Sequence, residues 1–268
     1  MFESHARLRW LGWHLLAAVL LAVAPIGAQL AAAASPASGS TPDFSGWWKA
    51  DLQAKAPRAA APADLPEGWR TMDGFHGSEP PVLTQWAYEE TKKRRLIEEG
   101  ATRAEGGADP QSSACKPAGF PDFMGFFDPV DIFQREDELL MVTERERTMP
   151  RHIYILPYHK ISKIYGNGDI LMPNGRSMAH WEGKVLIVDT TDITPEPWLF
   201  TFDRIPHSEQ ISVHERISLD ETGNHLTDLL TITDPKTLVH PWTLRLLLNR
   251  APPDTEALET ACVPEEGQ

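Results

Sequence analysis

His180 and Glu182 stand two residues apart in SMAHWEGKVLIVDT (177–190), just before a glycine turn and an apolar run. Along an extended strand residues i and i+2 share a face, so this imidazole and this carboxylate point the same way. Facing a cavity, such a pair is a general base with an acid that fixes its tautomer. Facing solvent, it is a structural histidine beside a turn. Two further acids interrupt apolar rows. Ile211, Val213, Ile217 and Leu219 share a parity with Glu215, and Leu226, Leu230 and Ile232 share one with Asp228. An ionised carboxylate in an apolar row needs a partner, a proton or water. Arg145 and Arg147 are the nearest candidate partners for Glu215. If the two segments pair as a hairpin through Thr222-Gly223-Asn224, Glu215 and Asp228 meet in one layer. Two adjacent carboxylates push one pKa up, which sets an acid beside a base.

His180, Glu182 and Glu215 are therefore the expected chemical residues, with Met178 beside His180 and Val213 with Ile217 beside Glu215 placing both in one cavity. Glu215→Gln is then expected to leave the melting temperature equal or higher, because an acid kept for function sits at some cost to stability. Trp181, Asp189, His207, Arg216, Asp228 and Trp242 are the expected ligand contacts. Arg216 or Arg145 would stabilise developing negative charge. Phe120, Phe123, Phe126, Phe127, Trp198, Phe200 and Phe202 supply rings for an apolar pocket or for ordinary packing. Ser208 follows His207 without a Gly-x-Ser-x-Gly elbow, which argues against a serine nucleophile. The chain has no HExxH and no cysteine cluster, and Gly166-x-Gly168 is followed by no Walker lysine, so neither a metal nor a cofactor is expected.

The elements that must position these residues are short strands. Strands are predicted over 131–134, 139–147, 152–156, 177–181, 185–190, 210–219, 225–233 and 242–248, with turn signals between them, and 43–50 as the first strand. This is a mainly β pattern, an antiparallel barrel or strongly curved sheet. Residues 43–129 otherwise form an irregular N-terminal arm with one surface helix over about 85–99, which Thr84 caps and Gly100 stops. The PAGFPDFMGFFDP stretch is placed to cover the mouth of a cavity.

Residues 1–34 read as an export signal, with Arg7 and Arg9 ahead of an apolar run that Pro25 ends and an AQLAAAAS stretch for cleavage. Residues 35–42 are a polar linker, and the barrel region is expected to run over 130–264. The run is short for a bilayer span, so no stable membrane insertion is expected after cleavage. A periplasmic or secreted protein follows, and in that compartment the two cysteines, Cys115 and Cys262, are expected to pair. With 38 acidic against 25 basic residues and no basic stripe, nucleic acid is an unsuitable partner. A small molecule is the expected one.

The opening DFSGWW resembles the Gly-x-Trp start of lipocalin-like barrels, here Gly46 and Trp48. The succession AHWEGKVLIVDT, PHSEQISVHER, LTITDPKTLVHPWT and Cys262 resembles a family of exported bacterial proteins with a GHWEGDTLVVDT-like hairpin. The resemblance covers about 41–264 and marks His180, Trp181, Glu182, Asp189, His207, Ser208, Glu215, Arg216, Asp234, Pro235 and Trp242. Ala179 and Lys184 depart from its usual Gly and Asp or Asn. The resemblance implies a lipocalin-like fold and no settled activity. The function expected is interior binding of a small, largely apolar molecule, with cofactor-independent acid/base catalysis (a lyase, isomerase or hydrolase) as the alternative.

Overall fold

Alternation of apolar and polar residues in nine short segments closes a barrel in the computed structural model, which describes residues 41–51, 81–94, 115–124, 128–143, 149–155, 170–195, 199 and 205–256. The strands are β1 (Gly46–Ala50), β2 (Val130–Gln134), β3 (Glu138–Thr143), β4 (Arg151–Tyr154), β5 (Arg176–Glu182), β6 (Val185–Thr191), β7 (Ser212–Leu219), β8 (His225–Thr233) and β9 (Trp242–Arg250). They pair in sequence order, and β1 pairs with β9 to close the ring. Every pairing is antiparallel except β4 with β5, where Ile153 faces Ser177 and Tyr154 faces Met178. All of these strands belong to the compact unit Ser38–Gln268.

Parity decides what points inward. Leu226, Asp228, Leu230 and Ile232 of β8 are buried, as are Trp242, Leu244, Leu246 and Leu248 of β9. The same core takes Val213 and Ile217 from β7, Leu186 and Val188 from β6, and Leu139 and Met141 from β3. Among the described residues full closure leaves no edge strand to template aggregation, which suits short strands.

The first strand anchors the seam. The Trp48 indole is buried and donates to the Phe44 carbonyl at 2.8 Å. Arg250 lies over the Trp48 ring at 4.3 Å and donates to the carbonyls of Ser45 at 2.7 Å and Gly223 at 2.9 Å. Gly46 sits at a φ of 108°, where a side chain would be strained.

Residues 85–94 are helical, and the rest of the predicted helix lies outside the described residues. Thr84 Oγ1 accepts from the Ala87 amide at 3.3 Å, the N-cap expected of it. Ala87 and Thr91 are buried, whereas Trp86 stays at the surface beneath the Lys236 ammonium. The segment Ala118–Met124 packs inward, burying Phe120 and Phe123. No helix among the described residues is long and apolar enough to cross a membrane.

Candidate functional site

Five strands each send one polar side chain into the barrel: Arg151 from β4, Ser177 from β5, Thr190 from β6, Glu215 from β7 and Asp228 from β8. None of the five is measurably exposed. Glu215 stands between buried Val213 and Ile217, Asp228 between Leu226 and Leu230, and Arg151 two before Ile153.

Arg151 and Glu215 meet fork to fork. Nη1 donates to Oε1 at 2.9 Å, and Nη2 donates to Oε2 in a shorter contact. Nη2 also donates to Thr190 Oγ1 at 3.1 Å and Ser177 Oγ at 3.3 Å, and these two hydroxyls share a bond at 2.8 Å. The Phe120 ring covers one face of the guanidinium, with its centroid 3.6 Å from Cζ. The bidentate geometry and the ring contact are what a buried arginine needs to offset lost hydration.

Asp228 has no such arrangement. Across the β7–β8 pairing Glu215 lies opposite Leu230 and Asp228 opposite Ile217, so the two acids are diagonal neighbours on the inner face. Burial first, and then the Glu215 charge, raise the Asp228 pKa well above its ordinary value of 3.8 against the lowering pull of Arg151. No donor among the described residues reaches either Asp228 oxygen, and Arg151 Nε is likewise buried without an acceptor. Among the described residues the interior thus sets a bidentate Arg151–Glu215 pair near an acid whose burial favours its protonated form.

No family model matches the chain, and no curated protein matches it in sequence. What the site can do therefore follows from its own chemistry.

Several expected site residues lie elsewhere. His180 and Glu182 share a face as predicted, but it is the outer face: their side chains are 61% and 54% exposed and stand 3.6 Å apart. The expectation that His180 faces the same interior as Glu215 is therefore corrected. Arg216 also points outward, donating to Glu182 at 3.3 Å. Asp189 is exposed and paired with His214 at 2.7 Å, outside the barrel. On this outer face Ile187 of β6 lies between His180 and Arg216 in register and is covered.

His207, an expected ligand contact, is buried, and Ser208 beside it is engaged in structure. Asp234 accepts from the Ser208 amide at 2.6 Å, from its hydroxyl at 2.8 Å, and from Thr237 Oγ1 at 2.9 Å. It also accepts from the Lys236 and Thr237 amides. This clasp explains the His-Ser and Asp-Pro motifs as a turn-locking device. Trp181 is half-buried and stacks on Phe44 at 5.5 Å, and Trp242 is buried at the end of β9 beside Ile232. Cys262, Arg145, Arg147, Phe126, Phe127, Trp198, Phe200 and Phe202 lie outside the described residues.

Sequence reasoning missed Arg151. The signal was present: an acid in an apolar row calls for a cation at inward parity, and Arg151 precedes Ile153 by two. Starting the strand at residue 152 hid it. Among the described residues no group of three or more His, Cys, Asp or Glu side chains is placed to hold a metal ion. A shallow outer cleft of about 720 Å³ lies over β1–β4, lined by Phe133, Leu140, Asp131 and the His152–Glu138 pair.

Proposed function

We propose that this protein is an exported β-barrel that takes a small, largely apolar molecule into its interior and fixes the molecule's polar end at Arg151, Glu215 and Asp228. The observation that carries this reading is two buried polar groups unsatisfied among the described residues, the Asp228 carboxyl and the Arg151 Nε–H. Buried polar groups left unpaired are costly to a fold, and a bound molecule is what they would serve. The surrounding apolar side chains favour an apolar ligand body. Phe120, lying on Arg151, ties the segment Ala118–Met124 to the polar end of the site. The leader-like residues 1–34, the presence of just two cysteines, Cys115 and Cys262, and the resemblance to exported lipocalin-like proteins support a periplasmic or secreted setting. The acidic balance and the lack of a basic stripe favour a small-molecule partner over nucleic acid.

A second reading has one observation in its favour. A neutral Asp228 beside a paired Glu215 is an acid next to a base, the arrangement that cofactor-independent proton transfer uses. In it Asp228 would donate a proton, Glu215 would hold it in place and Arg151 would steady developing negative charge.

Titration of the mature chain with the fluorescent apolar probe N-phenyl-1-naphthylamine tests the main reading. Saturable binding is expected in the wild type, at least tenfold weaker in Asp228→Leu and unchanged in His180→Ala. No saturable binding by a folded protein would contradict it, as would loss of binding in His180→Ala alone.

A further inference from the structure

The cleft of about 720 Å³ over β1–β4 plays no part in capture inside the barrel. We infer that it is a second binding site, which takes a small aromatic ammonium compound, with the cation at Asp131 and the ring on Phe133 and Leu140.

Strand register gathers these residues. Phe133 of β2 lies opposite Leu140 of β3, and Leu140 lies opposite His152 of β4, so the three form one row across the outer face. Asp131 stands two residues before Phe133 at the same parity, directly opposite Trp47 of β1. Asp131, Phe133, Leu140 and His152 all line the cleft. Phe133 is 51% exposed, whereas Asp131, Leu140 and Trp47 are half-buried. A flat apolar body laid on Phe133 and Leu140 takes that ring out of water. The wall beside them is firm, because the Gln134 amide accepts from the Phe44 N–H at 2.8 Å and donates to the Pro42 carbonyl at 2.8 Å.

The charges select the ligand's polar end. Glu138 is already engaged by His152, whose Nδ1 lies 2.6 Å from Oε1. Asp131 has no such partner among the described residues. Burial raises its pKa and only the Ile132 amide lowers it, so neither Lys49, the next outward residue of β1, nor Arg135 offsets its charge. A ligand ammonium supplies the missing counter-charge at a half-buried carboxylate, where it is worth more than in open water. Trp47 and Phe133 set two aromatic rings on the same face as Asp131, a setting that favours a cation over an uncharged group. A ligand carboxylate would repeat the charge of Asp131. Its one alternative in the cleft is Arg135, four residues along from Asp131 and about 13 Å away on an extended chain. Arg135 is exposed and followed by Glu136 and Asp137, so it holds an anion only as weakly as a surface ion pair does.

Titration of the isotope-labelled mature chain, followed through its amide chemical shifts, tests this with 2-phenylethylammonium, 2-phenylethanol and 3-phenylpropionate. Saturable shifts are expected around Asp131, Phe133 and Leu140, with the ammonium binding about tenfold tighter than either of the others, or more. Asp131→Asn should erase that preference, and Asp131→Glu, which keeps the charge, should retain it. Binding of N-phenyl-1-naphthylamine should be the same in Asp131→Asn as in the wild type. Equal or tighter binding of the alcohol or the propionate overturns the assignment, as does an undiminished ammonium preference in folded Asp131→Asn. Saturable shifts confined to residues outside β1–β4, or none from any of the three probes, also overturn it. Loss of N-phenyl-1-naphthylamine binding in folded Asp131→Asn would make the two sites one and overturn the claim of a second. Failure of N-phenyl-1-naphthylamine to bind the wild type, by contrast, bears on capture inside the barrel alone.

Discussion

Replacing Asp228 by Asn should stabilise the protein, by an amount that grows with pH. In the native state burial and the adjacent Glu215 keep the Asp228 carboxyl protonated well above 3.8, whereas in the unfolded chain it ionises near that value. The sign follows from proton counting. Between the two pKa values the native state holds one proton that the unfolded state has released, so wild-type stability falls as pH rises through that window. The loss is about 1.4 kcal/mol per pH unit while the native acid stays protonated, and it levels off once the pH passes the raised native pKa. Asparagine has no proton to lose, so this contribution vanishes from Asp228→Asn, and its amide can still donate to Glu215. Urea denaturation of both proteins at half-unit steps from pH 5 to pH 9 measures the gap. It should be smallest at the acid end and widen by about 1.4 kcal/mol for each pH unit at first. Two curves that run parallel across the range would refute the claim that Asp228 is held neutral. A gap that narrows with rising pH would refute its sign.

The other predictions concern the neighbours of that acid and the ends of the chain. Glu215→Gln should cost about 3–5 kcal/mol, since it strands a buried Arg151, and the loss should shrink in Arg151→Met/Glu215→Leu; denaturation of the single and double variants checks both. Ser208→Ala removes a hydroxyl that donates to buried Asp234 and should lower stability by about 1–3 kcal/mol while leaving probe affinity unchanged. His180→Ala, on the outer face, should alter stability by less than about 0.5 kcal/mol in the same assay. Mass spectrometry of the unreduced mature chain should find Cys115 bonded to Cys262, and reduction should lower the melting temperature, the closed loop contributing roughly 4 kcal/mol.

The Glu215 prediction reverses the one that the residues alone supported, and the reason is specific. An acid in an apolar row looks like a group kept at a cost, but Arg151 holds both of its oxygens, so a neutral isostere breaks a pair. Much of the rest was legible in the sequence. The alternation in 210–219 and 225–233 marked Glu215 and Asp228 as acids in apolar rows, and the hairpin through Thr222-Gly223-Asn224 has the register that makes them diagonal neighbours, which the sequence left open. The barrel of short strands and the Thr84 helix cap were readable, because each rests on local chemistry, whereas the parallel pairing of β4 with β5 was not.

The face of β5 was misread. Its inner row is Ser177, Ala179 and Trp181, and Met178, the one apolar neighbour that suggested an inward His180, stands half-buried on the outer row with His180 and Glu182. Small residues belong on that inner row because Arg151 and its hydroxyl partners occupy the space in front of them. Arg151 itself sits in a four-residue strand, too short for alternation to announce it. The Asp189–His214 and Glu182–Arg216 contacts are cross-strand ion pairs of the outer face, which sequence spacing cannot tell from an inward-facing set.

A crystal structure of the mature chain grown with N-phenyl-1-naphthylamine tests most directly whether capture happens inside the barrel at Arg151, Glu215 and Asp228. Ligand density is expected within the barrel, against Asp228 and Arg151. Density confined to the outer face, at His180 and Glu182 or in the cleft over β1–β4, with an interior unchanged by the ligand, would contradict it.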